Sequence, residues 1–149
     1  ICLLLDEKEG SYRRVLSKAK MLSCDVTAGA DPLYKSASNK NNEAHLGGGL
    51  AFCKYTGAGG KSGSNDANAE YIAQLRNILD NNNITYQFTE MGKVDQGGGG
   101  TIAYILANYN VEVIDCGLPV LSMHAPWEVT SKLDLFESYK GFLVFLLEA

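Results

Sequence analysis

The sequence predicts an α/β domain with a central mixed sheet flanked by helices. Short β-rich runs alternate with helical patterns along the whole chain, the signature of a sheet covered by helices. A length of 149 residues fits one domain, and shares of 46% hydrophobic and 20% charged residues are those of a globular chain. Sixteen glycines add many tight turns.

Taken in order, "ICLLL" reads as a buried strand, and "YRRVLSKAK" as a short basic helix with a solvated face. "MLSCDV" and "LAFCKY" are the next strands. A helix is predicted from Asn65 to Asn82, because Ile72, Leu75, Ile78 and Leu79 share one face at helical spacing. Ser64, Asn65 and Asp66 are suited to cap its start, and the run Asn81 to Asn83 to end it. "ITYQF" is a strand, Thr101 to Tyr109 a helix, and "VEVIDCG" a strand. From Pro126 to Glu148 the sequence predicts one long terminal helix carrying Val129, Leu133, Phe136 and Tyr139, apolar from Phe142 through Leu147. Two polar excursions, "DPLYKSASNKNNEAHLGGG" and "TGAGGKSGSN", are long enough to be functional or interfacial.

Charge and cysteine usage exclude several classes. A net charge of -4 and a pI near 5.1 argue against a nucleic-acid surface, which needs clustered Lys and Arg. Cys2, Cys24, Cys53 and Cys116 form no CxxC pair and sit in apolar runs, as buried free thiols in a reducing compartment do. A cytoplasmic location is therefore expected. "ICLLL" is too short for a membrane span and lacks the flanks of a signal peptide. The start on a bare apolar run suggests a strand whose upstream neighbours are missing.

Four glycines, Gly97 to Gly100, precede the helix at Thr101. Glycine before a helix suits an anion, yet no Lys-Ser or Lys-Thr pair follows, as a P-loop requires. Lys93 to Gln96 also makes a poor strand for a dinucleotide fingerprint. The run reads better as a tight turn or a close approach of backbone to some other ligand. Of the two histidines, His45 lies in a polar excursion and is expected in solvent. His124, in "LPVLSMHAPWEV", sits where a strand is expected to give way to the terminal helix, a position open to a structural or a ligand role. Asp25 is expected to be a buried acid at a strand end, costly unless paired, hydrogen-bonded or on a metal. Asp25 and His124 together would make half of a zinc site, since catalytic zinc takes three protein ligands. Asp115 could be a strand-end functional group or a local pairing partner, with Glu90 and Asp95 as further acids near the glycines. No serine or cysteine lies in a nucleophile signature.

"MLSCDVTAGADP", "KYTGAGGKSGSNDANAEYIAQLR", "MGKVDQGGGGTIAYILANYNVEVIDCG" and "VLSMHAPWEVTSKLDLFESYKGF" closely resemble the aspartyl aminopeptidase and vacuolar aminopeptidase I family of zinc metallopeptidases, in its bacterial branch. The resemblance runs from about Tyr12 to Phe145 and covers the C-terminal catalytic segment. It implies a zinc-peptidase-like α/β core, incomplete here, with two zinc ions per intact site, a β-rich domain inserted into it that is absent from this chain, and a tetrahedral dodecamer. It implies that Asp25 binds one zinc and His124 the other, that Lys54 lies by the pocket for the first substrate side chain, and that Gly98, Gly99 and Gly100 wall the peptide site. Residues 1–11 read as the remnant of a strand and an "EEIGS"-type motif with one residue lost, and residues 12–149 as the C-terminal part of the catalytic domain. With Glu9 as the metal-binding glutamate, Lys8 stands where the general base belongs; with Glu7 as the base, its spacing to Glu9 differs from the family's. The expectation is a truncated metalloaminopeptidase with little activity alone, or a non-catalytic remnant serving oligomerisation or peptide binding.

Overall fold

The computed structural model describes residues 11–57, 65–93, 99 and 101–149. The predicted strand at residues 1–5, Glu7, Lys8, Glu9, Gly98 and Gly100 lie outside the described residues. The elements are α1 (Ser11–Leu16), β1 (Lys20–Cys24), β2 (Thr27–Ala28), β3 (Leu50–Cys53), α2 (Ala69–Asn81), β4 (Tyr86–Thr89), α3 (Ala103–Ala107), β5 (Glu112–Gly117), β6 (Pro119–Leu121), β7 (Val129–Thr130) and α4 (Lys132–Glu148).

The main sheet has the order β1-β5-β3-β4. β1 runs parallel to β5, β5 antiparallel to β3, and β3 parallel to β4, so the expected mixed sheet is present. β5 is almost wholly buried and β3 entirely so. Their apolar composition, interrupted by Asp115 and by the half-buried Glu112 at the start of β5, follows from coverage on both faces. On one face, Leu50, Phe52, Ile114 and Cys116 pack with Tyr71, Leu75 and Leu79 of α2 and with Phe142 and Phe145 of α4. On the other, Val111 and Val113 meet Ala103, Leu106, Leu16 and Met21, which seats α1 and α3. A smaller sheet, β2-β6-β7, continues from the end of the main one.

Two helix starts, those of α2 and α4, lie well downstream of the sequence reading. α2 begins at Ala69, capped by Asn68, whose side chain accepts the Tyr71 N–H at 2.7 Å. Asn65 to Ala67 are held out of the helix by strand-like partners: Thr56 N–H donates to Asn65 O at 3.0 Å and Ala67 N–H to Lys54 O at 2.9 Å. The buried Asn65 amide adds a bond to Val113 O at 3.1 Å. The terminal helix begins at Lys132, with Ser131 as its cap. Val129 and Thr130 are spent pairing with β6, which turns Pro126 to Glu128 into part of a connection.

α4 also buries polar side chains. Its buried residues are Asp134, Glu137, Ser138 and Gly141, while Leu135, Phe136, Tyr139, Leu143, Leu146 and Leu147 are exposed. The acids are buried because each answers backbone donors. Asp134 accepts the N–H groups of Gly47 and Gly49, both at 2.8 Å, and Glu137 accepts that of Thr85 at 2.8 Å. Lys140 pairs with Glu137 at 2.8 Å. Burial works to raise the Glu137 pKa, but the Lys140 and Thr85 hydrogen bonds prevail and hold it below the usual range.

Candidate active site

Two of the candidate acids, Asp25 and Asp115, meet where β1 and β5 end. Asp25, Thr27, Cys53, Met91, Thr101, Asp115 and Gly117 line a small cleft there. Asp25 follows β1 directly, and its N–H donates to Cys116 O at 2.9 Å, extending the ladder by one bond. That approach needs Gly117: a Cβ on it would lie 1.3 Å from the Asp25 carbonyl oxygen.

Asp25 is exposed, which corrects the expectation of a buried acid. Lying one residue past the strand, it escapes the cover of the neighbouring strand. Its Oδ1 accepts the Val26 N–H at 2.7 Å. The buried acid of the cleft is Asp115, 3% exposed, flanked in register by Ser23 of β1 and Cys53 of β3. Its Oδ2 terminates a relay of donors: Asn65 N–H to Thr56 Oγ1 at 3.4 Å, Thr56 to Thr101 at 3.4 Å, Thr101 to Asp115 at 3.0 Å. Neither Asp115 Oδ1 nor Ser23 Oγ makes a hydrogen bond of ordinary geometry among the described residues. Burial pushes the Asp115 pKa up, the nearby Asp25 adds to the rise, and the Ser23, Thr101 and Thr56 hydroxyls partly oppose it.

His124 does not stand at a strand-to-helix junction. It occupies the connection between β6 and β7, exposed, with φ at 67°, and its N–H donates to Glu128 Oε1 at 2.6 Å. The left-handed backbone turns the chain sharply before β7. His45 is exposed, 4.0 Å from Glu43, as its polar segment led us to expect. Among the described residues no three of His, Cys, Asp and Glu converge as a metal-binding group. Carboxylate and imidazole are donors that zinc accepts, and the Asp25 and His124 side chains both reach solvent, so their chemistry fits the metal. A third donor would have to come from elsewhere.

Of the other described candidates, Gly99 lies against Met91 of this cleft. Gly57 N–H donates to Gly99 O at 3.1 Å, which ties the two glycine-rich loops together. A Cβ on Gly99 would lie 2.3 Å from Met91 Sδ, so close packing is one reason for glycine there. Lys54 is ion-paired with Asp66 and lines a different cavity, of about 430 Å³, with Arg76, Phe88 and Glu90. Cys53 and Cys116 are buried free thiols as expected, whereas Cys24 is exposed. The neighbouring Cys116 thiol lowers the Cys24 pKa to about 7, against the effect of burial. Contact with Cys24 and burial push Cys116 well up.

A family model described as Aminopeptidase I zinc metalloprotease (M18) matches residues 1–146. The chain belongs to the M18 aminopeptidase family. It is 55% identical over 141 residues to a protein of Clostridium acetobutylicum named probable M18 family aminopeptidase 1, covering 95% of this chain and 30% of that one. The solved aminopeptidase I of Clostridium acetobutylicum superposes with a TM-score of 0.90 at 54% identity, over 97% of this chain and 31% of that one. The M18 aminopeptidase of Thermotoga maritima gives 0.91 at 41%, over 96% and 32%. This M18 chain thus spans about 30% of the length of the curated relatives it matches. The expected zinc-peptidase-like α/β fold is present. Among the described residues, no helix is long and apolar enough to cross a membrane.

Proposed function

We propose that this chain is the C-terminal part of the catalytic domain of a zinc aminopeptidase that removes N-terminal residues from peptides, and that it has little or no activity alone. The observation that carries the reading is the family match over residues 1–146, with 55% identity to a relative named as an aminopeptidase. In this reading Asp25 and His124 each hold one zinc of a pair, and Glu9 supplies a further ligand. Either Glu7 or Glu9 is the acid that takes up a proton from water. The metal pair supplies Lewis acidity toward the scissile carbonyl and a nucleophilic water at neutral pH.

This chain's own residues do the holding. Val26 N–H fixes one oxygen of Asp25 and leaves the other for the metal, while Glu128 anchors the backbone of His124. Gly98, Gly99 and Gly100 let the substrate main chain come close. Lys54 and the cavity beside it receive the first side chain, with Asp66 holding the ammonium until an acidic group replaces it. Little activity is expected of the chain alone because Asp25, His124 and Glu9 would leave a two-zinc site short of ligands. The whole enzyme is proposed to work in the cytoplasm as a homo-oligomer, the dodecamer that the family resemblance implies.

Elemental analysis after dialysis against dilute zinc, with hydrolysis of aminoacyl p-nitroanilides, tests this reading. Expected is substoichiometric zinc, reduced about tenfold or more in affinity by Asp25→Ala or His124→Ala, and no turnover. Zinc binding indifferent to both substitutions would remove them as ligands. Turnover abolished by a chelator would overturn the inactivity of the chain alone. A folded chain that binds peptides but no zinc would instead support the non-catalytic remnant.

A further inference from the structure

We infer that Cys24 and Cys116 form an oxidisable dithiol, a site of reversible disulfide modification beside the cleft. The two residues are direct partners in the parallel β1–β5 ladder, and the Cys24 thiol donates to Leu22 O at 3.6 Å. Side chains at paired positions project from the same sheet face. Paired strands lie about 4.8 Å apart, inside the Cα span of about 4.4–6.8 Å that a disulfide bridges. One thiol of the pair is open to solvent and the other buried, an arrangement in which one sulfur meets an oxidant and the other resolves the product. Cys53 is no competitor on geometric grounds. It pairs in register with Asp115, one residue out of phase with Cys116, and so faces the opposite side of the sheet, near the Thr27 and Thr89 hydroxyls.

The oxidant is hydrogen peroxide. The Cys24 thiolate attacks one peroxide oxygen, the O–O bond breaks, and the leaving hydroxide takes a proton to become water. The Cys116 sulfur then attacks the sulfenic sulfur of Cys24, the S–O bond breaks, and the departing hydroxide leaves as water with the Cys116 proton. Two thiols are oxidised and one peroxide is reduced to two waters. The bond would lock β1 to β5 at the point from which Asp25 projects.

The test treats the reduced chain with equimolar hydrogen peroxide, followed by thiol titration, intact mass and peptide mapping. Expected is loss of two of the four thiols, a mass lower by two hydrogen atoms, a Cys24–Cys116 peptide, and recovery with dithiothreitol. Cys53→Ser should behave as the parent. Cys24→Ser, an exposed position whose fold is checked by circular dichroism, should slow thiol loss on the order of tenfold or more. Unchanged thiols, a link through Cys2 or Cys53, a link between chains, or over-oxidised Cys24 beside a free Cys116 would each overturn the inference.

Discussion

The fold gives the buried Asp115 carboxyl incomplete hydrogen-bond support. Its folded pKa lies above the unfolded value, so the stability tied to it is fully present below the unfolded pKa and is lost as pH rises through the folded one. Asp115→Asn should therefore stabilise the metal-free chain at neutral pH by about 1 kcal/mol, the scale of relieving one poorly paired buried group. The new amide keeps an acceptor for Thr101 and gains a donor for Ser23, which has none of ordinary geometry. Urea unfolding at a series of pH values checks this, and the variant should also lose the decline seen in the parent. Gly117→Ala offers the opposite case. With 1.3 Å between the added Cβ and the Asp25 oxygen, a backbone must move, and a loss of about 3 kcal/mol or failure to fold is expected.

At the scale of elements, α4 decides how the chain is held. Asp134→Ala would strand the buried Gly49 N–H and the partly covered Gly47 N–H, costing about 3 kcal/mol in chemical denaturation, whereas Asp134→Asn keeps one acceptor and should cost less. Glu137 works in the acid range. Its folded pKa is depressed, so its contribution is present above the unfolded pKa and disappears as pH falls through the folded one. Glu137→Gln should thus flatten the acid limb of the stability profile. None of this was legible in the apolar count of α4, because hydropathy records what a side chain prefers and not which backbone donors await it. The strands were legible, since β1, β3 and β5 are apolar runs covered on both faces. Helix starts were less so: Asn65 and Pro126 are good initiators by type, but Val113 O claims one and pairing to β6 displaces the other. In the site, the sequence placed acids at the right strand ends. It mistook which was covered, because a shift of one residue past the last ladder pair separates exposed Asp25 from the register that buries Asp115.

Across the whole molecule, residues far apart in sequence are tied by few but specific bonds. The Gly47 and Gly49 amides belong to a connection between strands, which by position would trade hydrogen with solvent within seconds. Both are bonded to a carboxylate on the last helix, and that helix packs against β3 and α2. Their deuterium uptake should therefore track the opening of α4, not the mobility of a loop. The Gly47 and Gly49 amides and those of α4 would then report one cooperative event, so that clipping the C-terminal helix would unlace a segment 85 residues upstream of Asp134.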